Sequence, residues 1–187
     1  MQMELTLAIA ALVLISVVYA VASIKAKRAL AQANEDRARL YRDCFLRGLA
    51  GILARMASAD GKVTLDEVKV VGRLFNDMGL ADVDRQLCFD AFRAARDASL
   101  PMNYYVTLFA PYATKESRTL LYEVLWDVAS ADGKFDPKEE EFLKKLTTWL
   151  RLDESCYQAN LSRCTGFGAE PDVRMKEASR KLDRLLN

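Results

Sequence analysis

The sequence contains no histidine among its 187 residues, and this absence removes several classes of chemistry. Histidine is the commonest general base and a common zinc ligand, and a Ser-His or Cys-His pair cannot be built without it. A phosphate-binding glycine loop and a nucleophile elbow are also missing. The acidic pairs, such as Asp66-Glu67, stand at predicted helix starts, where negative charge suits the helix dipole. The sequence therefore predicts a protein that is not an enzyme.

Charge excess and cysteine pairs are also lacking. The chain has 27 basic and 26 acidic residues, a net charge of +1, which gives no electrostatic footprint for nucleic acid. Four cysteines, at positions 44, 88, 156 and 164, show no CxxC spacing. They are typical of reduced thiols in a cytosolic domain, with a bond between Cys156 and Cys164 as the alternative.

The first apolar run, Leu5–Ile24, contains no charged residue. Twenty helical residues span about 30 Å, the thickness of the hydrocarbon core of a bilayer. Basic residues follow the run, beginning with Lys25 and Lys27, so the positive-inside rule places the N-terminus outside and the rest in the cytoplasm. A cleaved signal peptide is the alternative, but only Glu4 precedes the run where basic residues are required. We predict a single membrane anchor, whose small residues at four-residue spacing permit a homodimer.

The rest of the chain has the composition and spacing of helices, so the predicted fold class is all-α. Residues 1–25 form the anchor, 26–39 a helical juxtamembrane linker, 40–164 a helical domain, and 165–187 a linker with a C-terminal amphipathic helix. From Leu40 onward, apolar residues recur at spacings of three and four, and no stretch alternates as a strand does.

The hexapeptide Ala-Ser-Ala-Asp-Gly-Lys occurs twice, at residues 57–62 and 129–134. When the two copies are aligned, the apolar positions on both sides also correspond, so the repeated unit is a helix–loop–helix hairpin. Two such hairpins are predicted to pack face to face around one core. The matched positions are Leu49, Ile52, Leu53, Met56, Val63, Val70, Val71, Leu74 and Met78 with Leu121, Val124, Leu125, Val128, Phe135, Phe142, Leu143, Leu146 and Leu150.

Each repeated loop, residues 57–64 and 129–136, has the features of a structural corner, the name used for it below. Thr64–Glu67 has the T-x-x-E form of a capping box. Asp136–Glu139 offers an N-cap aspartate, a proline at the first helical position and a glutamate at the third. Gly61 and Gly133 permit the left-handed turn that ends the preceding helix. On this interpretation no ligand is needed.

A metal site is the competing interpretation of the corners. In a calcium-binding loop, Asp60 would be position 5 and Glu67 position 12, with Asp132 and Glu139 equivalent in the second copy. Position 1 is apolar in both copies, so one loop lacks half its ligands. Two loops together would be needed to hold a divalent cation such as calcium.

The stretches "MASADGKVTLDE" and "VASADGKFDPKEEEFL" resemble the TerB-like domain, named for tellurite-resistance proteins. The resemblance covers roughly Leu40 to Cys164. The stretch Phe92–Phe109 is similar to the N-terminal part of membrane-anchored DnaJ-like co-chaperones of the DjlA type. These 187 residues lack a J-domain, because its His-Pro-Asp tripeptide requires histidine.

The resemblance implies an all-helical cytoplasmic domain on a single-pass anchor in the bacterial inner membrane, without chaperone-stimulating activity. In some members acidic residues near the corners hold a metal, and the matching positions here are Asp60, Glu67, Asp132 and Glu139. We therefore expect a membrane-tethered adaptor or scaffold in envelope or metal (tellurite-type) stress. A divalent-ion sensor and an accessory factor related to co-chaperones are the alternatives.

An exposed aromatic patch is the candidate surface for a protein partner. Tyr104, Tyr105 and Tyr112 lie close together in the chain, between the two hairpins. Aromatic residues at this spacing also suit a core, with their hydroxyls at its rim. Trp126 and Trp149, one on each helix of the second hairpin, are both predicted to be core residues.

Overall fold

A computed structural model describes residues 2–59, 61, 63–98, 100–131, 136–165 and 176–182, without the side chains of residues 2–17 and 163–165. All regular secondary structure in these ranges is helical, which confirms the predicted fold class. The helices are α1 (Gln2–Met56), α2 (Leu65–Asp77), α3 (Asp82–Asp97), α4 (Met102–Phe109), α5 (Lys115–Ala129), α6 (Pro137–Trp149) and α7 (Glu154–Thr165), with a 3₁₀ turn at Ala110–Tyr112. A further helical segment, residues 176–182, is called the tail helix below.

The chain divides into two units, Met1–Tyr41 and Arg42–Asn187. The first unit is the N-terminal part of α1, and its described side chains at residues 18–40 are exposed apart from the half-buried Ser23. Within that unit the Ser23 hydroxyl donates to the carbonyl of Tyr19 at 2.8 Å, one turn back along the helix.

Within the described part of the chain, no helix combines the length and the apolar character needed to cross a membrane. The predicted span Leu5–Ile24 lies mostly in residues 2–17, outside the described side chains.

The described residues of the second unit form one hydrophobic core to which both hairpins contribute. In the first hairpin, Leu49, Ile52 and Leu53 of α1 are fully buried, and in the second hairpin their counterparts on α5 are buried as well. Helix α5 packs against α2 of the first hairpin and against α6 and α7. The two hairpins therefore meet through α2 and α5, which belong to different hairpins, and both contribute to the core.

Two glycines of α1 bring α4 unusually close. A Cβ atom added at Gly48 would lie 2.6 Å from the backbone nitrogen of Phe109, and one added at Gly51 would lie 2.0 Å from Cδ1 of Tyr105. One turn away on the same side, the rings of Phe45 and Phe109 lie 4.7 Å apart. The segment between the hairpins is thus fixed to α1 at positions where no side chain larger than hydrogen fits.

Two details of the core differ from the sequence prediction, and a third adds to it. Leu40, expected to begin the buried stripe of α1, is 58% exposed, and the core begins at Phe45. Trp126 is fully buried as predicted, but Trp149 is 38% exposed because it lies on the outer side of α6 near its end. Leu182 of the tail helix is fully buried and belongs to the core.

The duplicated corner as a candidate functional site

The two corners have matching hydrogen bonds among their described residues, as well as the same six-residue sequence. Ser58 donates its hydroxyl to the carbonyl of Ala54 at 2.8 Å, and its counterpart Ser130 donates to the carbonyl of Trp126 at 2.7 Å. The next turn is also matched, because the Ala59 amide donates to Met56 at 3.0 Å and the Ala131 amide donates to Val128 at 3.1 Å. The repeated serines and alanines therefore end the two helices in the same way.

Each corner leads into its second helix through a capping box. The Thr64 amide and hydroxyl donate to Oε2 of Glu67 at 2.7 and 2.8 Å, and the Glu67 amide donates back to Oγ1 of Thr64 at 3.2 Å. In the second copy the Asp136 amide donates to Oε2 of Glu139 at 3.0 Å, and the Lys138 amide donates to Oδ1 of Asp136 at 2.7 Å. Both predicted caps are thus confirmed.

The turn between the two helices uses a left-handed glycine, as predicted for the first copy. Gly61 has φ of +90°, and its amide donates to the carbonyl of Ser58 at 3.1 Å. Its counterpart Gly133 lies outside the described residues. A backbone with φ in this range is strained for any residue with a Cβ atom, which explains why glycine stands at this point.

The matched conformation continues to the far end of each hairpin. Gly79 after α2 has φ of +64°, and Arg151, which lies 72 positions later, has φ of +55°. Around Arg151 the amides of residues 151 and 152 donate to the carbonyls of Thr148 and Thr147 at 3.1 and 2.8 Å. This is a Schellman motif, which normally takes glycine. Sequence reasoning missed it, because arginine gives no signal for a left-handed residue.

The candidate metal ligands fall into two groups. Glu67 and Glu139 are both 5% exposed and both act as capping carboxylates, as described above. Asp60 and Asp132 lie outside the described residues. Among the described side chains, no three histidine, cysteine, aspartate or glutamate residues come together in a way that could hold a metal ion. Metal binding at the corners stays a prediction, and no chemistry is derived from it.

The three tyrosines of the predicted patch do not lie on one exposed surface. Tyr104 and Tyr112 are 44% and 39% exposed, whereas Tyr105 is 6% exposed and covers Gly51 of α1. Burial raises the pKa of the Tyr105 hydroxyl above its ordinary value. The rings of Tyr104 and Tyr105 meet edge to face with centroids 5.2 Å apart. The exposed candidates are thus Tyr104 and Tyr112, whereas Tyr105 is buried against Gly51 of α1.

The described cysteines are free thiols at positions 44, 88 and 156. Burial raises the pKa of the Cys88 thiol to about 12, with a smaller contribution from the nearby Asp84 carboxylate. A thiol with so high a pKa holds almost no thiolate at neutral pH and is a poor nucleophile. Cys88 thus behaves as a small apolar core residue, while the side chain of Cys164 lies outside the described residues.

These observations define an all-helical domain of two repeated hairpins whose corners, in their described residues, make matching hydrogen bonds at the helix ends. The sequence profile of the family described as Tellurite resistance protein TerB matches residues 47–161, which include both hairpins. The chain belongs to this family. No solved structure matches the chain.

Curated relatives are co-chaperones. The chain is similar to co-chaperone protein DjlA of Haemophilus ducreyi, at 26% identity over 120 residues that cover 63% of this chain and 42% of that protein. It is also similar to DjlA of Vibrio vulnificus, at 25% identity over 138 residues that cover 67% of this chain and 48% of that protein. The chain therefore spans less than half of the length of these relatives.

The capping interpretation predicts opposite outcomes for two substitutions at one position. Glu67→Gln keeps an oxygen that accepts from the Thr64 amide, so we expect its unfolding free energy to stay within about 0.5 kcal/mol of the native value. Glu67→Ala removes the acceptor and is expected to cost about 1 kcal/mol. Urea unfolding of the 187-residue chain, with EGTA and with calcium, measures both.

A metal role for Glu67 would give a different pattern. Glu67→Gln would then lose as much stability as Glu67→Ala, and only when calcium is present, because an amide replaces a charged ligand poorly. The equivalent pair at Glu139 provides an internal repeat of the measurement.

Proposed function

We propose that the chain is a membrane-tethered interaction module, an adaptor or scaffold in envelope or metal (tellurite-type) stress. One observation supports this best: the described residues of both corners make the same helix-ending and helix-starting hydrogen bonds. Because these residues already have structural roles, the activity is assigned to the surface of the second unit.

The tether is proposed from the sequence. The uncharged run Leu5–Ile24 and the basic residues after it support a single-pass anchor with the second unit in the cytoplasm. A place in the bacterial inner membrane is part of the same proposal. A homodimer through the span is included as well, on the small residues within it.

A non-enzymatic role is proposed from the available side chains. The chain has no histidine, and burial raises the pKa values of the Cys88 thiol and the Tyr122 hydroxyl, which keeps both groups protonated at neutral pH. Asp66, Glu140 and Glu141 are carboxylates whose pKa values are lowered by hydrogen bonds, as in ordinary surface acids. We propose that neither nucleic acid nor a small substrate is its target.

The similarity to DjlA favours a role beside co-chaperones. An accessory factor that works beside co-chaperones is the second candidate function, supported by DjlA proteins that match more than half of this chain. An ion-responsive sensor remains the other alternative, and the Glu67 substitutions described above test it.

The adaptor function is tested by capture of partners on the exposed tyrosines. We expect the tagged chain, purified from gently solubilised membranes, to retain a specific protein that the variant Tyr104→Ala/Tyr112→Ala loses. Trp149→Ala is the matched control, since Trp149 is an aromatic residue of similar exposure on a different helix. Equal capture by all three proteins would remove the tyrosines from the proposal, and no specific capture by the native chain would contradict the adaptor function.

A further inference from the structure

Arg55 is a half-buried arginine of α1 that has no carboxylate partner among the described residues. Its Nη1 donates to the carbonyl of Ala98 at 3.4 Å, which is a long contact to a backbone oxygen. Its Nε is buried and has no hydrogen-bond partner among the described residues. Elsewhere in the second unit a partly buried guanidinium is paired with a carboxylate, as Arg42 is with Asp84 at 2.6 Å. Because a buried charge without a counter-charge is costly, the position of Arg55 favours an anion supplied from outside these residues.

The guanidinium of Arg55 lies beside the beginning of α4. Helix α4 runs antiparallel to α1, since Phe109 meets Gly48 and Tyr105 meets Gly51. Arg55 follows Gly51 by one turn on the same side of α1, and helical side chains lean back toward the preceding turn. Burial raises the pKa of the Tyr105 hydroxyl, and the Arg55 guanidinium is close enough to oppose part of that rise. The cation and the hydroxyl therefore lie next to each other.

The Tyr105 hydroxyl is a second donor at this place. It makes no hydrogen bond to another described residue, and its raised pKa keeps it protonated at neutral pH. A protonated hydroxyl can donate to an anion that the neighbouring guanidinium holds. Apolar surface lies beside these donors, because Leu100 and Tyr104 are exposed and the Tyr104 ring meets the Tyr105 ring edge to face at 5.2 Å.

The local charge suits an anion with a single negative charge. The first turn of α4 contains no acidic residue, and its N-cap Pro101 makes no side-chain cap bond, so the amide end of the helix adds partial positive charge. Arg96, two residues before Ala98, is already paired with Asp97 at 2.8 Å. One guanidinium fork matches the two oxygens of a carboxylate, whereas a doubly charged phosphate needs more positive charge than Arg55 supplies.

We propose that Arg55 and Tyr105 form a binding site for the carboxylate of an aspartate or glutamate side chain of the partner protein. Leu100 and Tyr104 contact an apolar residue of the partner beside that carboxylate. The proposal rests on the adaptor function and names the chemistry that the exposed tyrosine surface recognises. In the complex the carboxylate accepts from the guanidinium and from the hydroxyl, and it supplies the counter-charge that no described residue gives to Arg55.

The test uses the whole chain in detergent micelles and two synthetic peptides, acetyl-Leu-Glu-Leu-amide and acetyl-Leu-Gln-Leu-amide. The peptides differ only in the charge of the central side chain. The NMR signal of the Arg55 Nε–Hε group, assigned by its loss in Arg55→Lys, reports binding. We expect the glutamate peptide to shift this signal in a saturable manner. The glutamine peptide should bind about 10-fold more weakly, because a hydrogen bond to a charged group is stronger than one to a neutral amide.

Arg55→Gln removes the cation and is expected to weaken binding of the glutamate peptide about 10-fold, as read from the backbone amide signals of Tyr104 and Tyr105. Arg118→Gln is the matched control. Arg118 is also half-buried, donates to the carbonyl of Ala110 at 2.8 Å and has a buried Nε without a partner among the described residues, but it lies at the other end of α4. It should leave binding unchanged, and an equal loss in both variants would contradict the proposal.

The contrast between the two peptides on the native chain needs no variant, so an Arg55→Gln chain that fails to fold does not prevent a decision. The absence of a saturable shift, or equal affinity for both peptides, would overturn the proposal. Tighter binding of inorganic phosphate than of the glutamate peptide would assign the site to a phosphate. A shift of the Arg55 signal when the chain alone is concentrated would assign it to a second copy. Either result would also overturn the proposal, while the adaptor function would survive, because it is tested separately by capture of a protein from membranes.

Discussion

Gly48→Ala is expected to lower the free energy of unfolding by about 3 kcal/mol, because the backbone of α4 occupies the space of the new methyl group. The added Cβ would lie 2.6 Å from the amide nitrogen and 2.9 Å from Cα of Phe109. Backbone atoms cannot rotate away as a flexible side chain can, so α4 must move outward. That movement opens the contact between the Phe45 and Phe109 rings. Urea unfolding followed by circular dichroism measures the loss.

Gly72→Ala is the matched control for this prediction. Gly72 also lies inside a helix, α2, but nothing lies within 4 Å of a Cβ atom added there. The same substitution is expected to stabilise the protein by about 0.5–1 kcal/mol, since alanine favours the helix over glycine. A loss of stability at both positions, or at neither, would show that the close approach of α1 and α4 is not what selects glycine at position 48.

Trp126→Ala is expected to cost about 3–5 kcal/mol, the range measured for removal of a large buried aromatic side chain. Trp126 is fully buried at the centre of the second hairpin. Its ring lies 6.3 Å from that of Tyr122 and 5.6 Å from that of Tyr157, so its removal leaves a cavity between α5 and α7. Chemical denaturation and loss of the buried tryptophan fluorescence both report the change.

Trp149→Ala serves as the control because it removes the same side chain from a position that is 38% exposed. Water fills the space that the partly exposed ring leaves, so we expect a loss of about 1 kcal/mol or less. If Trp149→Ala destabilises the protein as much as Trp126→Ala, the assignment of Trp126 to the centre of the core is wrong.

The repeat made much of the fold predictable. Two aligned copies of one pattern identify the helices and the loop together, because a position that is ambiguous in one copy is resolved by its counterpart in the other. The capping boxes at Thr64 and Asp136 followed from residue types whose side chains reach only nearby amides. The left-handed conformation of Gly61 was predictable for a local reason as well, because glycine adopts a positive φ without a steric penalty.

The details that were missed depend on contacts between distant parts of the chain. Tyr104 and Tyr105 are adjacent and chemically identical, yet one is exposed and the other buried. The difference arises because α4 packs on α1 with the Tyr105 ring, and not the Tyr104 ring, against Gly51. Trp149 lies at a helix end where the bundle covers its ring only in part. The burial of Leu182 could not be predicted from amphipathicity alone, since a helical stripe indicates an apolar face and does not indicate what covers it.

The left-handed backbone of Arg151 extends the match between the two hairpins beyond their shared residues. Its counterpart Gly79 adopts the same conformation without a steric penalty, whereas a residue with a Cβ atom loses about 1–2 kcal/mol there. The second hairpin thus follows the same main-chain path as the first, although arginine stands where the first hairpin has glycine. Backbone angles compared at a fixed offset can therefore reveal a structural repeat at positions where the two copies carry different residues.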